Sequence, residues 1–536
     1  MAGSTKMLDG YSSDADKQSS TNLFDSNSAI SEVASSSILI LSGMILGMAL
    51  EYITKIVVAR SLGVSGYGQI SLGRAILAMT TALSVLGFPT GVSRYIGFYS
   101  AKNDLSSVKG TVISGLKLII PVSSICTILL FFLRRYIATT IFKKQEIELV
   151  ITIFAFALPF SALGEFFYAS LRGLKKFNYA VLSREIIFRF STIALVIIFL
   201  SVRPGLYGVT LAYCFGFAIF GLTAFFLNLG VFKKSIVSVN VTKELLRFSW
   251  PLIFSFILMQ FETRVDTILI GYFRTSKEVG FYNAAMPIAR LILIFLDGFL
   301  FIFLPVASGL YARGKYEELK FIYQGVTRWI FLFSAIGFLL LVIFPKTLLL
   351  IMFGEQYIPA AISLSILAFA FFVNSIFGPV GSLLLTIGKT KEYFLGDILG
   401  VSGNIFLNIL LIPRFGIEGA AYAVLSSMVI VNLIRSIFIY RYLKTQPFNL
   451  SYLKFFVPAV IWSYLIYLLF NSYIAARPIL IILAAVMLAI LSLLSTICLK
   501  GVEKQDLEIF SILERKFGIK FPILRKFITF GISAKL

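Results

Sequence analysis

The sequence predicts an all-α polytopic membrane protein with 14 transmembrane helices: two six-helix lobes in a parallel pseudo-two-fold repeat, plus two C-terminal helices. Three observations predict it: an excess of apolar residues, apolar runs of bilayer-spanning length parted by short polar turns, and punctuation that returns in the second half of the chain. Apolar side chains make up 58% of 536 residues and charged ones only 14%, with a mean hydropathy of +0.92. Soluble domains hold roughly 45–50% apolar residues even with glycine counted. No soluble core of this size hides so much apolar surface, so lipid is the solvent for most of it.

The net charge of +22 would suit nucleic acid. Its placement argues otherwise, because the basic residues lie at the ends of apolar runs. Cys126, Cys214 and Cys498 stand singly, without disulfide or metal spacing. Histidine is absent, which removes the commonest zinc ligand, catalytic base and proton relay. Neither a nucleic-acid partner nor a cofactor is expected.

In chain order, residues 1–35 are polar and Ser/Asp-rich, with no basic n-region or cleavage site. They read as a disordered cytoplasmic tail and not as a signal peptide. The spanning runs fall near 36–58, 68–92, 110–133, 148–171, 180–202 and 206–230, then 247–271, 280–309, 322–344, 358–386, 394–412 and 416–440, and finally 454–473 and 477–499. This divides the chain into an N-lobe (36–232), a C-lobe (233–444), two further helices (445–499) and a basic cytoplasmic tail (500–536). In that tail Leu507, Phe510, Leu513 and Phe517 share a face, as in an amphipathic helix on an anionic inner leaflet. With the N-terminus inside, cytoplasmic segments carry 29 Lys and Arg against 11 outside, so both termini are expected in the cytoplasm of a cell-membrane protein. The RRYIATTIFKK loop runs against this bias.

The repeat is organised around residues 59–95, ARSLGVSGYGQISLGRAILAMTTALSVLGFPTGVSRY. Arg74 and Arg290, Pro89 and Pro305, and Tyr95 and Tyr311 share one and the same offset in the numbering. Within a few positions of that offset, Gly66-Tyr67 matches Gly280-Phe281, the run Leu171 to Lys176 matches Thr386 to Lys391, and Gly205 to Gly208 matches Gly416 to Gly419. Six helices per half keep both halves in one orientation, a parallel repeat about the membrane normal as in secondary transporters.

Ionisable groups within hydrocarbon are costly unless paired or wet, so each is a candidate site residue. Arg74 and Arg290 fall two to three turns below the outer surface, where guanidinium forks match phosphate or pyrophosphate oxygens. Asp297 follows Arg290 on the same face, too far along for a direct bridge. Glu51 and Lys55, like Glu185 and Arg189, are spaced to neutralise each other. Glu262 and Asp266 are instead like charges one turn apart with Arg264 turned away, the arrangement a proton or cation-coupling site needs, unless a basic residue across the bundle satisfies them. Glu165 and Asp397 are single acids. Asn404 and Asn408 read as interhelical glue, and Lys117, Arg328 and Arg435 as snorkelling ends.

The motif Ala59, Arg60, Leu62, Gly63, Tyr67, Gly68, the following Gly87, Pro89, Gly91, Arg94, Tyr95, and the two lobes plus two helices together resemble the polysaccharide-transport branch of the MOP (MATE-like) superfamily. The chain looks like a Wzx-type lipid-linked oligosaccharide flippase over roughly residues 36 to 499. The resemblance implies a V-shaped alternating-access transporter that moves a polyprenyl-(pyro)phosphate-linked oligosaccharide from the inner to the outer leaflet. Its implied partners are that substrate, membrane lipids, a coupling H+ or Na+, and a glycan polymerase or transferase. The cationic lumen implied for the family fits Arg74, Arg290, Arg189 and Arg264, with Arg94 at the exit of the motif. Coupling-ion candidates are Glu262, Asp266, Asp297, Glu51 and Glu165; the family's cousins carry acids in the N-lobe, and the first span here offers Glu51. A MATE-type multidrug/cation antiporter and a lipid II-type peptidoglycan-precursor flippase are the alternatives. The antiporter calls for an acidic or aromatic cavity, against which arginines in both halves argue. A membrane glycosyltransferase or ligase is not expected, because the first outer turn has no acid and every outer loop is short.

Overall fold

A computed structural model describes residues 9–232, 237–448, 451–476, 480–499 and 501. Side chains of residues 9–39 and of some positions in later helices, Glu262 among them, lie outside the described residues, as does the tail stripe of Leu507, Phe510, Leu513 and Phe517. The described chain is helical, with no strand among the described residues. Its helices are α1 (Asp9–Val85), α2 (Phe88–Ala101), α3 (Leu105–Tyr136), α4 (Glu148–Gly173), α5 (Phe177–Val181), α6 (Phe188–Val202), α7 (Leu206–Asn228) and α8 (Thr242–Phe273). There follow α9 (Ser276–Arg290), α10 (Leu293–Ala312), α11 (Tyr316–Ile343), α12 (Pro345–Met352), α13 (Ala361–Ile376), α14 (Val380–Thr386), α15 (Thr390–Leu443), α16 (Ser451–Ala476) and α17 (Leu480–Cys498). Among the described residues ten helical stretches are long and apolar enough to cross a membrane, or eleven if the bent pair α9–α10 counts as one span.

Two of those stretches are each broken at a glycine. α1 turns at Gly63 (φ 65, ψ −177) and α15 at Gly416 (φ 59, ψ −133). A side chain resists such positive φ, so glycine ends one helical run and starts the next without an intervening loop. Gly63 falls between two of the expected spans, and Gly416 is the first residue of one. Gly205, the repeat partner of Gly416, also has positive φ (111) and precedes α7. The repeat read from spacing therefore has a backbone counterpart at this turn. Elsewhere the helix starts follow local chemistry. Thr275 and Glu278 form a capping box on α9, and Asp104 accepts the Ser107 N–H at 3.0 Å ahead of α3.

The chain packs as two compact units. The first comprises residues up to Lys55, Thr80–Phe132 and Thr152–Phe256. Its core gathers Phe88, Val92, Ile96, Phe166 and Leu245. Gly110 lets α3 meet the irregular segment before α8, since a Cβ there would lie 1.8 Å from the Val239 carbonyl.

The second unit comprises Ile56–Met79, Leu133–Ile151 and the chain from Ile257 onward. One of its cores joins Phe303, Tyr323 and Leu383. Another docks α16 and α17 on α11 and α13 through Phe331, Phe372, Tyr452, Phe455 and Leu488. Within this unit the end of α1 crosses α9 at backbone distance. A Cβ on Gly68 would lie 1.8 Å from the Ser276 carbonyl, and one on Gly280 would lie 2.1 Å from the Val64 carbonyl. Small residues of this kind bring membrane helices together. The Tyr67 hydroxyl donates to the Asn283 carbonyl (3.2 Å) and the Tyr357 hydroxyl to the Ala59 carbonyl (3.0 Å).

Four of the cations that run against the positive-inside bias are occupied in the same unit. Arg60 donates through Nε and Nη2 to the carbonyls of Met352 and Ile351, which end α12. Arg274 follows Arg60 by the same offset that separates Gly66 from Gly280. It donates through the same two atoms to Ile412 and Pro413, just ahead of the Gly416 break. Lys144, from the RRYIATTIFKK loop, donates to the carbonyls of Phe142 and Gly271. Burial holds its ammonium below the usual lysine range, opposed by Glu146 and Glu278. Arg134 of that loop pairs with Glu148 at 3.6 Å. Arg60 and Arg274 in this way complete helix ends that lack intrahelical partners.

The close crossing predicts a contrast between two glycines. Gly280→Ala must push α1 and α9 apart and should lower stability in detergent by about 1–3 kcal/mol. Gly309→Ala, whose Cβ would meet nothing within 4 Å, should be near neutral. Thermal unfolding of the purified variants checks this, and equal melting temperatures would contradict it.

Candidate functional site

The most enclosed ionisable group among the candidates is Asp266 on α8, only 4% exposed. Its carboxylate accepts the Tyr282 hydroxyl from α9 at 2.7 Å and Asn408 Nδ2 from α15 at 2.8 Å. Asn404 and Asn408 are one turn apart, so they face Asp266 together. The same Asn408 Nδ2 also lies 2.9 Å from the Asn404 carbonyl and 3.0 Å from Asn404 Oδ1. Asn408 Oδ1 is buried without a donor. One amide nitrogen is thus surrounded by three oxygens while its own oxygen finds none to pair with. Such a pocket offers more acceptors than donors, and a cation can satisfy that surplus. The two asparagines do bridge helices, as expected of interhelical glue, but what they bridge to is the carboxylate. Among the described residues no lysine or arginine pairs with Asp266.

The first compact unit holds a different arrangement. Glu51 pairs with Lys55 at 3.1 Å and with Arg189 Nη1 at 2.8 Å. Arg189 Nε lies 4.0 Å from Glu185, Arg184 lies 3.8 Å from Glu185, and Arg184 Nη1 bonds Glu165 at 3.1 Å. A π-helical turn, Leu182–Ile187, carries Arg184 and Glu185 just ahead of α6. Such turns reorient side chains within a helix and are frequent at functional sites. Gly47 leaves room for Glu185, whose Oε2 would stand 2.6 Å from a Cβ there. Arg189 from the anion-binding candidates, and Glu51 and Glu165 from the coupling candidates, therefore share one network of three acids and three cations.

The remaining arginines are placed differently from one another. Arg290 is exposed and is the last residue of α9, where the chain bends by 46° into α10. Broken spanning helices mark binding sites in transporters. Asp297, in the helix that follows, is also exposed, and among the described residues no hydrogen bond or ion pair joins it to Arg290. Arg74 is half-buried within the continuous second run of α1, so it and its repeat partner differ in backbone setting. The corresponding break in the first half comes later, at Leu86 and Gly87 (φ 50 and 68). Arg94 is exposed and lies over the Phe248 ring at 4.1 Å, and Arg264 is half-buried.

Two arginines read as snorkelling ends are corrected. Arg328 is 3% exposed and donates to Ser451 Oγ at 2.8 Å and to the Gly501 carbonyl, tying the ends of α16 and α17 to α11. Arg435 bonds Asp397 at 2.5 Å and lies over the Tyr393 ring at 4.3 Å. Both partners lie far along the chain, where spacing on one helix gives no sign of them.

Comparison with known proteins agrees with this architecture. The polysaccharide biosynthesis protein family matches residues 33–310, and the MatE family matches residues 251–410. The uncharacterized membrane protein MJ1068 of Methanocaldococcus jannaschii is 25% identical over 434 residues, covering 75% of this chain and 83% of that protein. The probable low-salt glycan biosynthesis flippase Agl15 of Haloferax volcanii is 24% identical over 163 residues, covering 30% of this chain and 34% of that one. The solved inward closed conformation of the lipid II flippase MurJ superposes with a TM-score of 0.65 at 17% identity, covering 85% of this chain and 97% of that one. With its family match spanning just over half of its length, the chain belongs to the polysaccharide biosynthesis protein family of membrane transporters and shares the fold of MurJ.

Proposed function

We propose that this chain is a flippase that carries a polyprenyl-(pyro)phosphate-linked oligosaccharide from the inner to the outer leaflet by alternating access, for surface polysaccharide or glycoprotein glycan assembly. Family membership and the likeness to Agl15 support the class of transport. The single observation that carries the substrate is Arg290, an exposed guanidinium at the break of a spanning helix. An arginine kept in that setting answers a planar, multiply charged anion such as phosphate or pyrophosphate. A multidrug antiporter would call for an acidic or aromatic surface there. A lipid II-type substrate shares the same phosphate chemistry. The two glycine breaks, the bent pair α9–α10 and the 32-residue α8 together with the other described stretches support fourteen spans in two lobes, with both termini on the cytoplasmic side of the cell membrane.

The coupling cation is proposed to bind at Asp266. The oxygens of Asp266, Asn404 and Asn408 suit a hard cation, and Na+ fits them better than a proton, which needs a single oxygen.

Arg290→Ala and Arg74→Ala should each abolish glycan export while leaving protein abundance intact, and lysine at either position should restore it in part. Parallel loss of abundance and export would make both residues structural. For coupling, Asp266→Asn should give transport in vesicles that is equal in a sodium gradient and a choline gradient, where the native chain is faster in sodium. Sodium dependence that survives the substitution would count against the Asp266 site.

A further inference from the structure

The repeat interval relates the two acid clusters described above. The interval from Glu51 to Asp266 equals that from Arg189 to Asn404. It also equals the interval that carries the run Leu171 to Lys176 onto Thr386 to Lys391. In each half an acid on one helix therefore meets a polar side chain on a helix four spans later. In the second half that partner pair is neutral: Asn408 donates to Asp266 at 2.8 Å and is itself held by Asn404. In the first half the position equivalent to Asn404 holds a guanidinium, and Arg189 Nη1 lies 2.8 Å from Glu51, while the position equivalent to Asn408 holds Ile193.

We propose that Arg189 is a built-in cation, filling in the first half the place that an exchangeable cation takes beside Asp266 in the second, so that the chain binds one coupling cation and not two. This rests on the reading of Asp266 given above. The charge balance around each acid supports it. Glu51 faces Lys55 on its own helix and Arg189 across from it, with Glu185, Arg184 and Glu165 completing an equal number of acids and cations. Among the described residues Asp266 faces Tyr282 from α9 and the two asparagines from α15, all neutral. A carboxylate already neutralised by tethered cations has no electrostatic reason to hold a free one, whereas one ringed by neutral groups and surplus oxygens does. The halves set an acid opposite the equivalent position, Arg189 in one and Asn404 in the other, and differ in whether the cation is covalently part of the chain.

Equilibrium binding of radioactive sodium to the purified full-length chain in detergent tests this by stoichiometry. The native chain should bind one equivalent, and Asp266→Asn none. Arg189→Asn leaves three acids against two cations and should bind two equivalents, one of which persists when Asp266→Asn is added. Arg189→Lys should stay at one. An Arg189→Asn chain that still binds one equivalent overturns the proposal. So does a native chain that binds two and falls to one on Glu51→Gln, a result that needs no Arg189 variant to fold. If the native chain binds none while Arg189→Asn gains one, the Asp266 reading fails and the built-in cation stands; if neither binds, both fail.

Discussion

Every charge placed in or beside hydrocarbon must be met by something, and the arrangement of this protein follows from how each one is met. The cost of an unmatched ion there is several kcal/mol at least, comparable with a large share of a folded protein's net stability. Four kinds of answer are used. Backbone carbonyls receive Arg60, Arg274 and Lys144. Carboxylates receive Arg184, Arg189 and Arg435. Neutral amides and a phenol receive Asp266. Arg290 is left exposed at a helix break. The first two answers are complete within the chain and hold it together. The last two leave chemistry open to a ligand, which is why function is assigned to them.

The carbonyl answer also accounts for the helix ends. A helix leaves its last four carbonyls without intrahelical partners, and in lipid such groups have no water to turn to. Arg60 and Arg274 each supply two donors to two consecutive carbonyls, one pair ending α12 and the other preceding the break in α15. The two arginines are related by the repeat interval, but the helix ends they cap are not, since both acceptor pairs lie in the second half of the chain. Arg60, Arg274 and Lys144, which run against the expected charge bias, are thus bound to backbone carbonyls. The rule concerns charges left free in loops, and these are not.

Much of this was legible in the sequence, in proportion to how local its physics is. Apolar runs and turn glycines follow from period and backbone freedom, so an all-helical membrane fold and turns near Gly63 and Gly416 could be read. The repeat could be read because Gly205 and Gly416 recur where the backbone needs positive φ. The one-turn spacing of Asn404 and Asn408 put them on one face, but nothing in that spacing reveals that the face meets Asp266 on another helix. Arg328 and Arg435 near the ends of runs looked like snorkelling side chains, because their partners Ser451, Gly501 and Asp397 are set by tertiary packing. The partners of Arg60 and Lys144 are backbone groups, which leave no mark in the side-chain pattern at all.

The proposed function is the movement of a phosphate-linked sugar lipid across the bilayer. Its most direct measurement is reconstitution of the purified chain alone into vesicles that carry a polyprenyl-diphosphate sugar confined to one leaflet, with the sugar's exposure on the other side read by a membrane-impermeant lectin. The account predicts protein-dependent appearance of the sugar, competed by the same lipid-linked phosphate and not by a lipophilic cation. A sugar that stays on its original side, or transport of the cation in its place, would contradict it.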